Sequence, residues 1–182
     1  TYLMLTLGFR AMRVLLAGRF AEAERLALQA QAAGPLTQSE QVGGAFGVQM
    51  FTLRREQGRL KEVEPALRHF MQQHGVASTW RPGLALLYSE LGRQREARTE
   101  FAHLAQHDFA DFPRDALWIG CMTYLTEVCT FLGDVDRAAT LYQLLLPYAR
   151  HTVVVGGGAV CYGAAARYLG MLATTMGRWE EA

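Results

Sequence analysis

The stretch LALLYSELGRQREARTEF, residues 84–101, holds the pattern that decides the fold. Apolar residues recur at helical spacing up to Leu91 and again from Ala97 to Phe101, with one glycine between them. Gly92 ends the first helix because it takes a positive φ without a Cβ clash. Glu96, early in the second helix, suits the positive end of its dipole. Ala97 then falls where two antiparallel helices come closest, and a larger side chain there forces them apart. The segment predicts a helix–turn–helix hairpin.

The same string recurs along the chain: GRFAEA at Gly18, GRLKEV at Gly58, GRQREA at Gly92, GDVDRA at Gly133 and GRWEEA at Gly177. All but the Gly133 string begin Gly-Arg and carry Glu at the fifth place (Glu22, Glu62, Glu96, Glu181). The sixth place is Ala23, Val63, Ala97, Ala138 or Ala182. Counting from the glycines, Leu84, Leu125 and Leu169 lie eight back, Tyr88, Cys129 and Ala173 four back, and Phe101 and Tyr142 nine forward. These offsets keep one apolar stripe on each helix. The glycines are 40, 34, 41 and 44 residues apart, which brackets the period of about 34 of the tetratricopeptide repeat. The chain therefore resembles a tetratricopeptide-like solenoid. The expectation is an all-α fold, an α-α superhelix of about five helix hairpins with the last incomplete, forming a single helical-repeat domain over residues 1–182. The early units fit less well: Arg10 and Arg54 stand where apolar residues belong, and Pro65 is tolerated only in the first turns of its helix.

Composition narrows the class. With 51% apolar residues in 182, the chain can bury a core, and a net charge of +1 gives no field for nucleic acid or an anionic membrane. Lys61 is the only lysine beside many arginines, a bias compatible with a GC-rich bacterial gene. Cys121, Cys129 and Cys161 are too few and scattered for a disulfide framework, so a reducing cytoplasmic setting is the simplest reading. No apolar run reaches membrane-helix length, and no basic-then-apolar signal segment opens the chain. Starting at Thr1 and stopping at GRWEEA, it reads as a piece of a longer protein.

Several motifs invite chemistry. In HTVVVGGGAVCYGAAARYLG, residues 151–170, a β-branched run feeds Gly156, Gly157 and Gly158. A phosphate loop fails there because Ala164 and Ala165 stand where Lys and Ser or Thr belong, and a dinucleotide fingerprint fails at Cys161. The stretch is expected to be a long turn between helices. His103 and His107 have metal-pair spacing, but Leu104 replaces the glutamate of a zinc protease and no third ligand is evident; His69 and His74 read the same way. Cys121 and Cys129 act as small hydrophobes. Asp111 is expected to cap a helix with Pro113 in its first turn, with Phe109, Phe112 and Trp118 packing between units. No catalytic residue, cofactor or metal is assigned.

Three stretches carry a narrower resemblance: DFADFPRDALW, LGDVDRAATLYQLLLPYA and VVVGGGAVCYGAAARYLGMLATTMGRWEEA, together within residues 108–182. They resemble the helical-repeat region downstream of the ATPase module in large bacterial signalling proteins, both nucleotide-cyclase-like proteins and ATP-dependent transcriptional activators of the maltose-regulator type. The resemblance implies a sensor or scaffold whose chemistry lies in other domains.

A solenoid binds along its concave face. Placed by their glycines, Thr52, Arg55, Ser89, Thr123, Glu127, Arg167 and Thr174 are the polar residues expected on it. The pairs Val48/Thr52, Pro82/Leu86 and Thr123/Glu127 lack the Lys and Asn that clamp a peptide carboxylate. The expected role is a non-catalytic protein-interaction or effector-sensing scaffold. Its partner is then a protein, a peptide or another domain of the same chain, with no direct nucleic-acid or membrane contact. The rivals are a small-molecule sensor using the superhelix interior and a metal-dependent enzyme built on His103 and His107. Trp179, on a stub of helix, is expected to be uncovered and to promote self-association through the C-terminal end.

Overall fold

The computed structural model describes residues 2–34, 39–74 and 77–182, apart from the side chains at 39–43, 70–74, 77–79 and 181. The described residues are mostly helical: α1 (Tyr2–Leu16), α2 (Phe20–Ala32), α3 (Ser39–Glu56), α4 (Glu64–His74), α5 (Ala77–Glu90), α6 (Gln94–Leu104), α7 (Trp118–Leu132), α8 (Val135–Leu145) and α9 (Ala165–Thr175). Single 3-10 turns follow at Leu60–Glu62, Leu146–Tyr148 and Trp179–Glu181. No helix among the described residues is long and apolar enough to cross a membrane.

Each of the five turn glycines closes its helix in the same way. Their φ values run from 65° at Gly133 to 72° at Gly177. At Gly92 the glycine N–H donates to Ser89 O at 3.0 Å and the Arg93 N–H to Tyr88 O at 2.8 Å. The same two bonds, reaching three and five residues back, form at Gly18, Gly58, Gly133 and Gly177. They satisfy carbonyls that the helix end would leave open. Arginine after the glycine then pairs with the string's glutamate: Arg19 with Glu22 at 3.0 Å, Arg59 with Glu62 at 2.8 Å and Arg93 with Glu96 at 2.8 Å.

The fourth turn reverses this polarity. Asp134 Oδ1 accepts from the Arg137 backbone N–H at 3.0 Å, a side-chain cap that Arg19 and Arg93 do not provide for α2 and α6. Asp134→Ala is therefore expected to cost about 1 kcal/mol in urea unfolding, with Asp134→Asn close to neutral. Equal losses for the two would show that the cap contributes nothing.

The stripes expected from spacing are buried. α2 buries Ala23, Leu26, Ala27 and Ala30, α8 buries Ala138, Leu141, Tyr142 and Leu145, and α6 buries Ala97, Phe101 and Leu104. α7 is buried nearly all round, as befits a helix covered on several sides by α5, α6, α8 and α9.

Contacts group the chain into two compact units. Thr1–Val63 and Val154–Tyr162 form one, where α1 and α3 pack on α2 around Ala11, Val14, Leu26 and Leu53. Glu64–Val153 and Gly163–Ala182 form the other, with α5 on α6 and α7, and α9 on α7 and α8.

Three expectations are corrected. Residues 151–170 are not a plain turn: Thr152–Val155 (β1) pairs with Val160–Ala164 (β2) in a two-stranded sheet, and α9 follows. The β-branched run alternates, with Val153 and Val155 buried and Val154 exposed, which is strand behaviour. The helix expected directly after Gly58 is split into the Leu60–Glu62 turn and α4. Pro65 explains the break, since it has no N–H to donate to Lys61 O and its ring crowds that carbonyl, whereas in the first turn of α4 neither matters. Asp111 does not cap α7, whose N-cap residue Leu117 has no side-chain cap; Asp115 Oδ1 accepts from the Leu117 N–H at 2.9 Å in the turn ahead of the helix. Phe109, Phe112 and Trp118 are buried, and Phe109 packs on Phe101 with ring centroids 5.8 Å apart.

Candidate functional site

The polar residues expected on a solvent-facing surface divide in two. Thr52, Ser89 and Thr123 are buried. Their hydroxyls donate back into their own helices, Thr52 to Val48 O at 2.9 Å, Ser89 to Leu86 O at 2.8 Å and Thr123 to Gly120 O at 2.7 Å. Short hydroxyl side chains inside helices find these carbonyls and then need no water. Arg55 and Glu127 are half-buried, whereas Arg167 and Thr174 are exposed. Ser89 lies on α5, Thr123 and Glu127 on α7, and Arg167 and Thr174 on α9, alternate helices of one unit. Arg167 stacks over Tyr168 at 5.2 Å from the ring centroid.

The glycine stretch receives neighbouring side chains. In the unit holding α1 and α3, Gln49 is 6% exposed and its amide donates to Ala159 O at 2.9 Å and Gly8 O at 3.0 Å. Thr52 also shares a 3.0 Å hydroxyl bond with Tyr162. The Phe9 ring lies directly against Gly158. The glycines thus serve a strand turn and a close ring contact.

His103 and His107 do not share a helix. His103 lies in α6, but His107 falls beyond its end and pairs with Asp111 at 2.8 Å on the surface. His69 is exposed, and the His74 side chain lies outside the described residues. Among the described residues no three His, Cys, Asp or Glu side chains converge to hold a metal ion. Burial pushes the thiols of Cys121 and Cys129 up to about 12, so neither supplies a thiolate at neutral pH.

Sequence reasoning missed a ladder of charged pairs. Glu24 pairs with Arg54, Glu64 with Arg93 and Asp108 with Arg137, at sequence separations of 30, 29 and 29. Each joins an acid to an arginine at the next glycine turn. Arg54 Nη1 reaches Glu24 Oε2 at 3.0 Å and Gln57 at 2.9 Å. Arg93 Nη1 reaches both Glu64 oxygens, at 2.8 and 3.0 Å, while its guanidinium covers Tyr88 at 4.6 Å. Arg68 bonds Glu64 at 3.0 Å and stacks on Tyr88 at 5.6 Å. Arg54, which looked misplaced as an apolar position, is thus the anchor of the first rung. The recurrence is hidden because the arginine stands four residues before the turn glycine in the first rung, one after it in the second and four after it in the third.

The ladder sets an acid limit. The hydrogen bond from Arg54 holds the Glu24 carboxyl below its usual value, and that from Arg93 does so for Glu96. At Glu64 burial pushes upward, but bonds from Arg93 and Arg68 outweigh it and the carboxyl is lowered. Carboxyls lowered from 4.5 stabilise the fold fully above that pH, and this contribution is lost as pH falls through their folded values. The thermal midpoint is expected to drop as pH falls from about 5 toward about 3. The double variant Glu24→Gln, Glu64→Gln should show a shallower slope. Parallel slopes in the two proteins would remove the ladder from the acid response.

No family model, curated protein or solved structure matches this chain.

Proposed function

We propose that the chain is a tetratricopeptide-like helical-repeat solenoid. In this reading it acts without catalysis as a protein-interaction or effector-sensing scaffold in the cytoplasm, within a bacterial signalling or transcription regulator. The observation that carries the reading is recurrence: one backbone cap at all five glycine turns, and a charged rung at nearly constant separation. A solenoid is built from local units whose contacts repeat between neighbours. The pairing of α5 with α7 and of α7 with α9 supports the same reading, as does the resemblance of residues 108–182 to repeat regions of large bacterial regulators.

Two measurements test it. A compact 182-residue chain has a radius of gyration of about 16 Å, and an extended superhelix exceeds that. A small-angle scattering value at about 16 Å overturns the solenoid. Thermal-shift screening with peptides, metabolites and zinc tests the scaffold role, since only a true ligand raises the midpoint in proportion to its concentration. Stabilisation by peptides supports it, and stabilisation by zinc alone overturns it.

A further inference from the structure

Residues 154–162, the tip of the β1–β2 hairpin, are grouped with α1–α3, although the helical part of that unit ends at Val63. The tip meets these helices with no covalent tie to them, as a bound peptide would. The apolar cluster that closes the helices, around Ala11, Val14, Leu26 and Leu53, contains no residue of the tip. What holds the tip is a set of discrete anchors. Gln49, 6% exposed, donates from its amide nitrogen both to the Gly8 carbonyl of α1 and to the main-chain carbonyl of Ala159. Three residues further on, the Tyr162 hydroxyl meets Thr52 Oγ1 at 3.0 Å and is the donor there, since the Thr52 hydrogen goes to Val48 O. The half-exposed ring of Phe9 lies on Gly158. Hydrogen bonds to the main chain for affinity, with separate contacts to chosen side chains for specificity, are the means by which extended peptides are recognised.

We propose that the α1–α3 face around Gln49 and Thr52 is a peptide-binding site held shut by the chain's own hairpin tip. Its partner is an extended segment of another protein with the tip's chemistry: glycine, then a small residue, then tyrosine three places after the small one. Each anchor sets one of these requirements. Without the tip the buried Gln49 amide loses an acceptor, so a replacement has to bring a main-chain carbonyl to the same place. Gly158 has φ +97° and an added Cβ there meets the Phe9 ring, so the residue before the small one is glycine. Tyrosine rather than phenylalanine supplies the hydroxyl that Thr52 accepts from. A two-stranded hairpin is marginally stable by itself, which makes the tip a weak competitor for its own site. Its tether still gives it an effective concentration on the order of 1 mM, which a partner exceeds by adding contacts beyond the tip. A second copy's tip brings nothing that the tethered one lacks. The inference needs only the unit of α1–α3, and it is independent of the repeat reading.

The test uses a labelled peptide of residues 152–164 carrying Cys161→Ser, the full chain, and a full-length variant in which residues 154–162 are replaced by a Gly-Ser segment of equal length. In fluorescence anisotropy the variant is expected to bind the peptide at least about tenfold more tightly than the native chain, because no tethered tip competes. Tyr162→Phe in the peptide should weaken binding to the variant about fivefold, and should have no effect once the variant also carries Thr52→Val. The native chain gives a second readout that stands even if the variant does not fold. Cys121 and Cys129 are buried, with thiols pushed up to about 12, whereas Cys161 on the tip is half-buried. Unlabelled peptide in excess over about 1 mM should displace the tip and speed the reaction of Cys161 with iodoacetamide at least about twofold. Unchanged Cys161 labelling overturns the proposal, as does a folded variant that fails to bind the peptide or binds the Tyr162→Phe peptide equally well. So does a concentration-dependent dimer in sedimentation that the Gly-Ser replacement abolishes, which would assign the site to a second copy.

Discussion

Valine in place of Gly158 is expected to destabilise the fold by about 3 kcal/mol in urea unfolding, combining backbone strain with overpacking. Two separate effects contribute. Gly158 has φ +97°, a region that a β-branched residue rarely enters. A Cβ there would also lie 2.0 Å from Cε1 of Phe9, inside any possible contact. Phe9 is half exposed and its ring can swing outward, so the steric part is partly relieved at the expense of the ring's own packing. Gly157 is the internal control: its φ is +66° but nothing lies within 4 Å of an added Cβ. Gly157→Val should cost only the backbone strain, and so at least about 1 kcal/mol less than Gly158→Val. Equal losses at the two positions would mean that the ring contact does not form in solution.

The second large effect is expected where helices meet at alanine. Ala97 and Ala138 are both 0% exposed and stand five residues after their turn glycines. Leucine at either site must push α6 from α5, or α8 from α7, and should lower stability by about 1 to 3 kcal/mol. The exposed Ala102, on α6, accepts leucine without a comparable loss. If Ala97→Leu behaves like Ala102→Leu, the close approach of the helices is wrong.

Much of the local structure was legible from residues. A glycine between two helical stripes has few other uses, and Leu84, Leu125, Tyr88, Cys129, Phe101 and Tyr142 all point inward as their spacing required. The strand pair was not legible, because the four-residue β1 is too short to separate alternation from chance, and its glycines invite comparison with phosphate loops first. What holds that hairpin is also remote: Gln49 and Ala159 are 110 residues apart. The candidate face failed for Thr52, Ser89 and Thr123 as solvent-facing residues for a local reason. Counting from a glycine gives direction around a helix but not whether a hydroxyl will satisfy itself on the carbonyl one turn back. His107 misled in the same manner, since spacing assumes a helix that in fact stops at Leu104.

The reversed fourth turn bears on how such a chain can be rearranged over evolutionary time. In the third string arginine stands first after the glycine and meets Glu64; in the fourth it stands fourth and meets Asp108. Copying GRQREA onto residues 133–138 would place a glutamate at the position of Arg137, facing Asp108, and would remove the aspartate that caps α8. The strings look interchangeable on paper, but those at Gly92 and Gly133 are each matched, through an arginine at a different place, to one acid 29 residues upstream. Duplication or loss of a unit would therefore survive only if string and upstream acid travelled together, so the heritable module is offset from the visible hairpin. It runs from the acid of one pair to the turn of the next.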